Sequence, residues 1–163
     1  MKFDNEQTTI KIQMQKRIMA VLSAVLVALL YFTGFDRFLV ELTGIPRWGF
    51  VIIFLSFFVI FYIYHLLVAS AFISYNDEES KIVIRFYQLN LFKSDKMSYE
   101  IPKRDFTGFK INYKLNKFRE ELVIFRKYQG KVVKYPPVPI SSLTKSERSK
   151  LIKSLDKFVT HTK

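Results

Sequence analysis

Two long uncharged runs dominate the hydrophobic pattern. The first, IMAVLSAVLVALLYFTGF, covers Ile18 to Phe35 without a charged residue. As a helix it would be ~27 Å long, against ~30 Å for the hydrocarbon core of a bilayer. The second, FVIIFLSFFVIFYIYHLLVASAFI, covers Phe50 to Ile73, and only His65 in it titrates near neutrality. It would be ~36 Å long, enough to cross with tilt. The pattern therefore predicts a transmembrane hairpin: a segment 1–17, a first span 18–35, a loop 36–49 and a second span 50–73. Two buried helices of a soluble protein are the alternative, but so small a chain has little with which to cover them on all sides. A cleaved signal peptide would need a shorter apolar region and a small-residue cleavage site, and no A-x-A pattern closes the first run.

The flanks predict the orientation. Lys2, Lys11, Lys16 and Arg17 precede the first span, whereas the loop carries only Arg37 and Arg47. Lys81 and Arg85 follow the second span closely. The positive-inside rule then places both termini in the cytoplasm, as a multi-pass protein of a bacterial inner membrane. The loop alternates Phe38, Leu39, Val40 and Leu42 with Arg37 and Glu41, and Gly44 and Pro46 interrupt it. It reads either as interfacial helical turns with Trp48 at the headgroups or as a plain linker.

Within the spans, Ala20, Ala24 and Ala28 recur every four residues beside Ser23. Such small-residue spacing lets helix backbones approach, so the stripe is expected to seat the second helix or, failing that, a partner. Phe50, Phe54, Phe57, Phe58 and Phe61 form a ridge on the second span that reads as lipid-facing or packed filler. His65 is assigned to the same helix packing, through hydrogen bonds to Tyr62, Tyr64 or Ser23. A proton-linked or ligand-linked role is the alternative.

The period changes in residues 74–163. Lys81–Tyr87 is rich in β-branched and aromatic residues, and short strands follow at Leu89–Phe92 and Met97–Ile101. Phe106–Leu115 alternates with period two. Glu121–Tyr128 and Lys131–Tyr135 form a hairpin about Gln129-Gly130. Pro136, Pro137 and Pro139 are expected to end the sheet. Thr144 and Glu147 have capping-box spacing at the head of a helix over 144–160, with Leu151, Ile152, Leu155, Phe158 and Val159 on one stripe. The fold class expected is a membrane α + β chain: a two-helix hairpin, then an antiparallel β barrel or sandwich capped by a C-terminal helix.

That order resembles bacterial pleckstrin-homology-like (PH-like) membrane proteins with two N-terminal spans, of the YdbS-like and YcxB-like type. The stretch Tyr99-Glu100-Ile101-Pro102-Lys103-Arg104-Asp105-Phe106 is similar to theirs. So is Val138-Pro139-Ile140 with Leu143 and Glu147 at the entry to the last helix. The resemblance implies a PH-like fold and a binding or assembly role. It brings no catalytic residues.

Charge narrows the function further. The chain of 163 residues carries 26 Lys and Arg against 14 Asp and Glu, a net charge of +12. The excess lies mostly in the β domain, where Lys81, Arg85, Lys103, Arg104, Lys110, Lys114, Arg126, Lys127, Lys131 and Lys134 make up the expected basic surface. With no Cys, disulfides and thiolate chemistry are excluded. No Walker, G-x-G-x-x-G, G-x-S-x-G or H-E-x-x-H pattern occurs, so no catalytic, cofactor-binding or metal-binding residue is assigned and no enzyme is expected. Asp77-Glu78-Glu79 and Glu120-Glu121 read as solvated turn charges. The expected function is a membrane-tethered adaptor or accessory subunit, whose partners are other integral membrane proteins and anionic lipids, with no small-molecule substrate. The alternatives are a translocon- or ribosome-associated factor touching rRNA, or an anionic-lipid-binding module.

Overall fold

The computed structural model describes residues 1–89, 95–116 and 118–159. It divides into two units: Lys11–His65, and a β unit formed by Met1–Ile10 together with Leu66–Lys163. The helical unit holds most of α1 (Glu6–Phe32), then α2 (Phe35–Thr43) and most of α3 (Arg47–Leu67). α1 and α3 are both long and apolar enough to cross a membrane. They run antiparallel. Lys16 Nζ lies 5.6 Å from the Tyr62 ring centre at one end, and the Arg47 guanidinium lies 5.3 Å from that of Tyr31 at the other.

Both helices depart from the boundaries expected of the spans. α1 begins at Glu6 because Gln7–Arg17 is rich in good helix formers and continues the helix through the polar flank. Its end at Phe32 and the left-handed Gly34 (φ 67°) set the kink into α2, a backbone state that glycine adopts without a Cβ penalty. α3 stops at Leu67, six residues short of Ile73. Ala69 takes a left-handed φ of 51°, and Ala71–Asn76 is already strand β2. An apolar run reads alike as helix or buried strand, and here strand partners on both sides decide it.

One of those partners is β1, Lys2–Asp4, which precedes the first long helix. It pairs antiparallel with β2, Phe3 opposite Tyr75. The first sheet thus has the order β1-β2-β3-β4, with β3 at Lys81–Gln88 and β4 at Met97–Pro102. The expected strand Leu89–Phe92 lies largely outside the described residues. After a 3-10 turn at Lys103–Asp105 comes the second sheet, of β5 (Phe106–Lys114), β6 (Arg119–Tyr128) and β7 (Lys131–Lys134). Gln129 and Gly130, both at positive φ, close the β6–β7 hairpin. The sheet does not end at the prolines. Val138–Pro139 forms β8, with Leu122 opposite Val138. Proline is tolerated there because β8 is a two-residue edge strand.

Alternation decides which faces are buried. Ile73 and Tyr75 of β2, Ile82 and Ile84 of β3, and Leu122 and Ile124 of β6 are fully or almost fully buried in a common core. Helix α4 (Lys145–Asp156) adds Leu151 and Leu155 to it. Its capping box forms: Glu147 N–H donates to Thr144 Oγ1 (3.2 Å), and Thr144 N–H donates to Glu147 Oε2 (2.7 Å).

Two buried polar clusters seal the β unit. Asn5 is 1% exposed. Its Oδ1 accepts from Ile73 N–H (2.8 Å), and its Nδ2 donates to Ala71 C=O (3.0 Å) and Ser142 Oγ (3.3 Å). Ser142 Oγ donates in turn to Ala71 C=O (2.5 Å). One side chain therefore ties the head of α1, the start of β2 and the loop before α4. The second cluster corrects the reading of Asp77 as a solvated turn charge. Asp77 is 6% exposed, and its carboxylate accepts from the Tyr75 hydroxyl (3.2 Å), Ser154 and the Met1 ammonium. Burial pushes this carboxyl up, but the bonds from the ammonium, Ser154 and Tyr75 outweigh it and hold it below the ordinary Asp value. Its contribution is present above the unfolded Asp pKa and is lost as pH falls through the lowered one.

Replacing Asn5 with Leu leaves the Ile73 N–H and one bond to the Ala71 C=O without their partner. At ~1–3 kcal/mol for each unsatisfied buried group, Asn5→Leu is expected to destabilise the β unit by about 2 kcal/mol or more. Chemical denaturation in mild detergent, followed by tyrosine near-UV circular dichroism, measures it; an unchanged midpoint would contradict the role given to Asn5.

Candidate interaction surfaces

The helical unit presents an apolar exterior. Val21 is 63% exposed, Phe57 65% and Ile60 66%, and exposed apolar side chains recur along both long helices. The residues turned inward on α1 include Met19, Ser23, Leu26, Val27 and Leu30, with Leu30 wholly buried. On α3 they include Phe50, Phe54, Phe58, Phe61 and His65. Most of the Phe ridge is therefore packed filler, and Phe57 alone of the five is exposed.

This corrects one expectation of the alanine stripe. Ala20, Ala24 and Ala28 all lie on the exposed side of α1 and do not seat α3. The seam is filled by large rings, which need side-chain depth rather than close backbones, so the stripe has nothing to offer it. His65 does lie in the seam, 9% exposed. Its ring meets Phe61 edge-on at 4.8 Å and Tyr64 at 5.4 Å.

Between the long helices, α2 splits into three faces. Asp36, Leu39 and Val40 turn inward, Arg37 and Glu41 make a polar stripe, and Phe35, Phe38 and Leu42 are exposed, Leu42 at 70%. Arg47 clamps the inner face, with Nε donating to Asp36 Oδ2 at 2.7 Å. That bond, with the Arg47 charge beside it, holds the Asp36 carboxyl below its ordinary range. The clamp was not legible in the sequence, because neither residue stands out from a loop of mixed charge.

The ten residues of the expected basic surface do not share one face. Lys81 and Arg85 lie on the outer face of the first sheet, by a groove of about 240 Å³ that Lys2, Ser74 and Asn76 also line. Glu79 and Glu100 line it too, and Glu100 pairs with Lys81 at 3.3 Å, so the groove is of mixed charge. Lys103 and Arg104 sit in the 3-10 turn, Lys103 Nζ over the Phe158 ring (4.9 Å) and Arg104 beside Asp105 (3.6 Å). Arg126 is held between the rings of Tyr128 (4.8 Å) and Tyr135 (5.3 Å). Register places Lys131 with Tyr128, on the same side as Arg126.

The remaining four gather on the outer face of the second sheet. Lys110 and Lys114 of β5, Lys127 of β6 and Lys134 of β7 share it by register. Arg119, the first residue of β6, joins them. The one carboxylate on this face is Glu121. It is 1% exposed and paired with Lys114 (2.9 Å) and Arg119 (2.8 Å). Glu120 points to the other side and pairs with Arg148 of α4 at 2.5 Å. Glu121 is thus a buried structural anion and Glu120 a half-buried, ion-paired one, rather than solvated turn charges. No alternation marks this end of β6, whose sequence runs from three polar residues into four apolar ones, so only the pairing with β5 places the glutamates in the sheet.

Among the described residues no three His, Asp or Glu side chains converge to hold a metal ion. Comparison with known proteins gives no relative: no family model, no curated protein and no solved structure matches this chain.

The exposed stripe and the filled seam predict opposite responses to substitution. Ala24→Leu is expected to leave the stability of the helix pair within ~0.5 kcal/mol of the parent. Leu30→Ala is expected to lower it by more than 1 kcal/mol, since it opens a void in a packed seam (soluble cores lose about 2–5 kcal/mol). Reversible unfolding in mixed micelles distinguishes them; the reverse order would place α1 the other way round.

Proposed function

We propose that this chain is a non-enzymatic, membrane-tethered interaction module. On this reading α1 and α3 span a bacterial inner membrane, both termini and the β unit are cytoplasmic, and the protein is an accessory or adaptor subunit of a larger membrane complex. The β unit is read as PH-like, a view supported by antiparallel sheets followed by one packed C-terminal helix.

The observation that carries the proposal is how the β unit is assembled. Its first sheet takes β1 from before the first long helix and β2 from after the second. Asn5 alone separates β1 from α1, and only residues 68–70 separate α3 from β2. Two short links leave little slack. A domain joined in this way cannot search far from its anchor, which suits docking onto a neighbour in the same membrane. The apolar exterior of the helices supports insertion, since so continuous an apolar surface calls for lipid or partner helices.

The basic outer face of the second sheet supports a second reading, a translocon- or ribosome-associated factor that meets rRNA phosphates. Binding of that kind weakens steeply as salt rises.

Blue-native electrophoresis of native membranes in mild detergent tests the subunit proposal. The expected result is a species well above the 19.4 kDa chain in its micelle, with co-purifying membrane proteins. Free monomer alone would contradict it. Salt-sensitive co-sedimentation with ribosomes would favour the second reading instead.

A further inference from the structure

The β5–β6 hairpin ends in a tip that serves no core. Strand pairing closes at Lys114 opposite Arg119. Leu115 and Asn116 then turn the chain at φ 50° and 51°, and Phe118 N–H donates to Leu115 C=O at 3.0 Å. At this end Tyr113, Leu115 and Phe118 are 57%, 53% and 60% exposed. Three large, mainly apolar side chains exposed at one end of a hairpin are a liability unless something apolar receives them.

Their surroundings indicate what receives them. Lys114 and Arg119 flank the tip, and Lys110, Lys127 and Lys134 continue the same face. The five cations meet a single carboxylate, Glu121, already paired to two of them. Lys110, Lys127 and Lys134 have no ion pair among the described residues. An apolar point above a basic skirt matches the boundary of an anionic bilayer, where rings and Leu enter the acyl edge and cations meet lipid phosphates. A single-stranded nucleic acid would be served better by aromatic rings set between the cations, as stacking platforms. Here the one ring among them is Phe125, half-buried opposite Lys134 and beside Val123 and Val132, whereas the exposed rings Tyr113 and Phe118 lie at the end.

We propose that the Tyr113–Leu115–Phe118 tip is a second membrane contact, which dips into the anionic cytoplasmic leaflet while the basic face of β5-β6-β7 binds its phosphates. The inference rests on α1 and α3 spanning that membrane.

The chain has no Cys, so nitroxide labels can be placed singly at Leu115→Cys, Ile60→Cys and Glu78→Cys in the full protein. Nanodiscs of phosphatidylcholine alone and of phosphatidylcholine with phosphatidylglycerol are compared by power saturation with oxygen and with a nickel chelate. In the anionic discs the label at 115 is expected to lose access to nickel and gain access to oxygen, while the label at 78 stays in water. In the neutral discs, or with Lys110→Gln, Lys127→Gln and Lys134→Gln combined, the label at 115 is expected to return to water. If 115 matches 78 in both discs while 60 is lipid-buried, the tip contact is overturned and the spanning helices stand. If 60 is in water, the membrane reading itself fails. If added ribosomal RNA, and not anionic lipid, shields 115, the occupant is RNA and the proposal is overturned.

Discussion

The closure of the first sheet of the β unit depends on a three-residue strand finding its place beside β2. Lys2–Asp4 is too short to hold by its own ladder, and a lone pair of short strands is marginal in water. Asn5 makes up the difference by taking bonds that the edge of β2 and the loop before α4 would otherwise lack. The Met1 ammonium and Asp77 close the other end of the same pairing, and Ser154 brings α4 into it. The N-terminal flank is therefore part of the domain that the C-terminal half builds.

That constraint has a topological consequence. A chain that leaves a sheet at β1 and re-enters the same sheet at β2 must bring both flanks of the helical unit to one place. If both long helices cross a membrane, both flanks lie on the same side of it, whatever the charge bias. The positive-inside argument drew on a small difference in Lys and Arg numbers; the strand pairing independently requires that both flanks share a side, without choosing which side. The clamp between Asp36 and Arg47 plays a comparable part at the far end of the helices, holding α2 against them rather than leaving a free loop.

Much of the architecture was legible because each part obeys one strong local rule. The two apolar runs, the alternating strands β3 and β5, the Gln129-Gly130 turn and the Thr144–Glu147 capping box all carry their signals within a few residues. What was not legible depends on partners remote in sequence. β1 has three residues and no period to read. The last residues of the second apolar run became β2 because strands stood ready on both sides of it. Asp77, Glu120 and Glu121 look like surface charge until Ser154, Arg148, Lys114 and Arg119 are brought to them. The alanine stripe illustrates the opposite error. Its spacing is a true helix-face signal, but spacing alone does not tell which face turns inward, and the large rings of α3 chose Met19, Ser23 and Leu30 instead. The basic residues were counted correctly and grouped wrongly, because strand parity sends Lys110 and Lys114 to one side and Arg126 and Lys131 to the other.

The most direct test of the shared-side arrangement uses the absence of native Cys. Lys2→Cys, Glu41→Cys and Lys150→Cys, each alone in the full chain, are probed with a membrane-impermeant maleimide in intact spheroplasts and again after lysis. Positions 2 and 150 should label only after lysis, and position 41 should label in intact spheroplasts. Labelling of 2 and 150 from opposite sides, or of all three from one side, would contradict a domain closed by β1 and β2 across two membrane crossings.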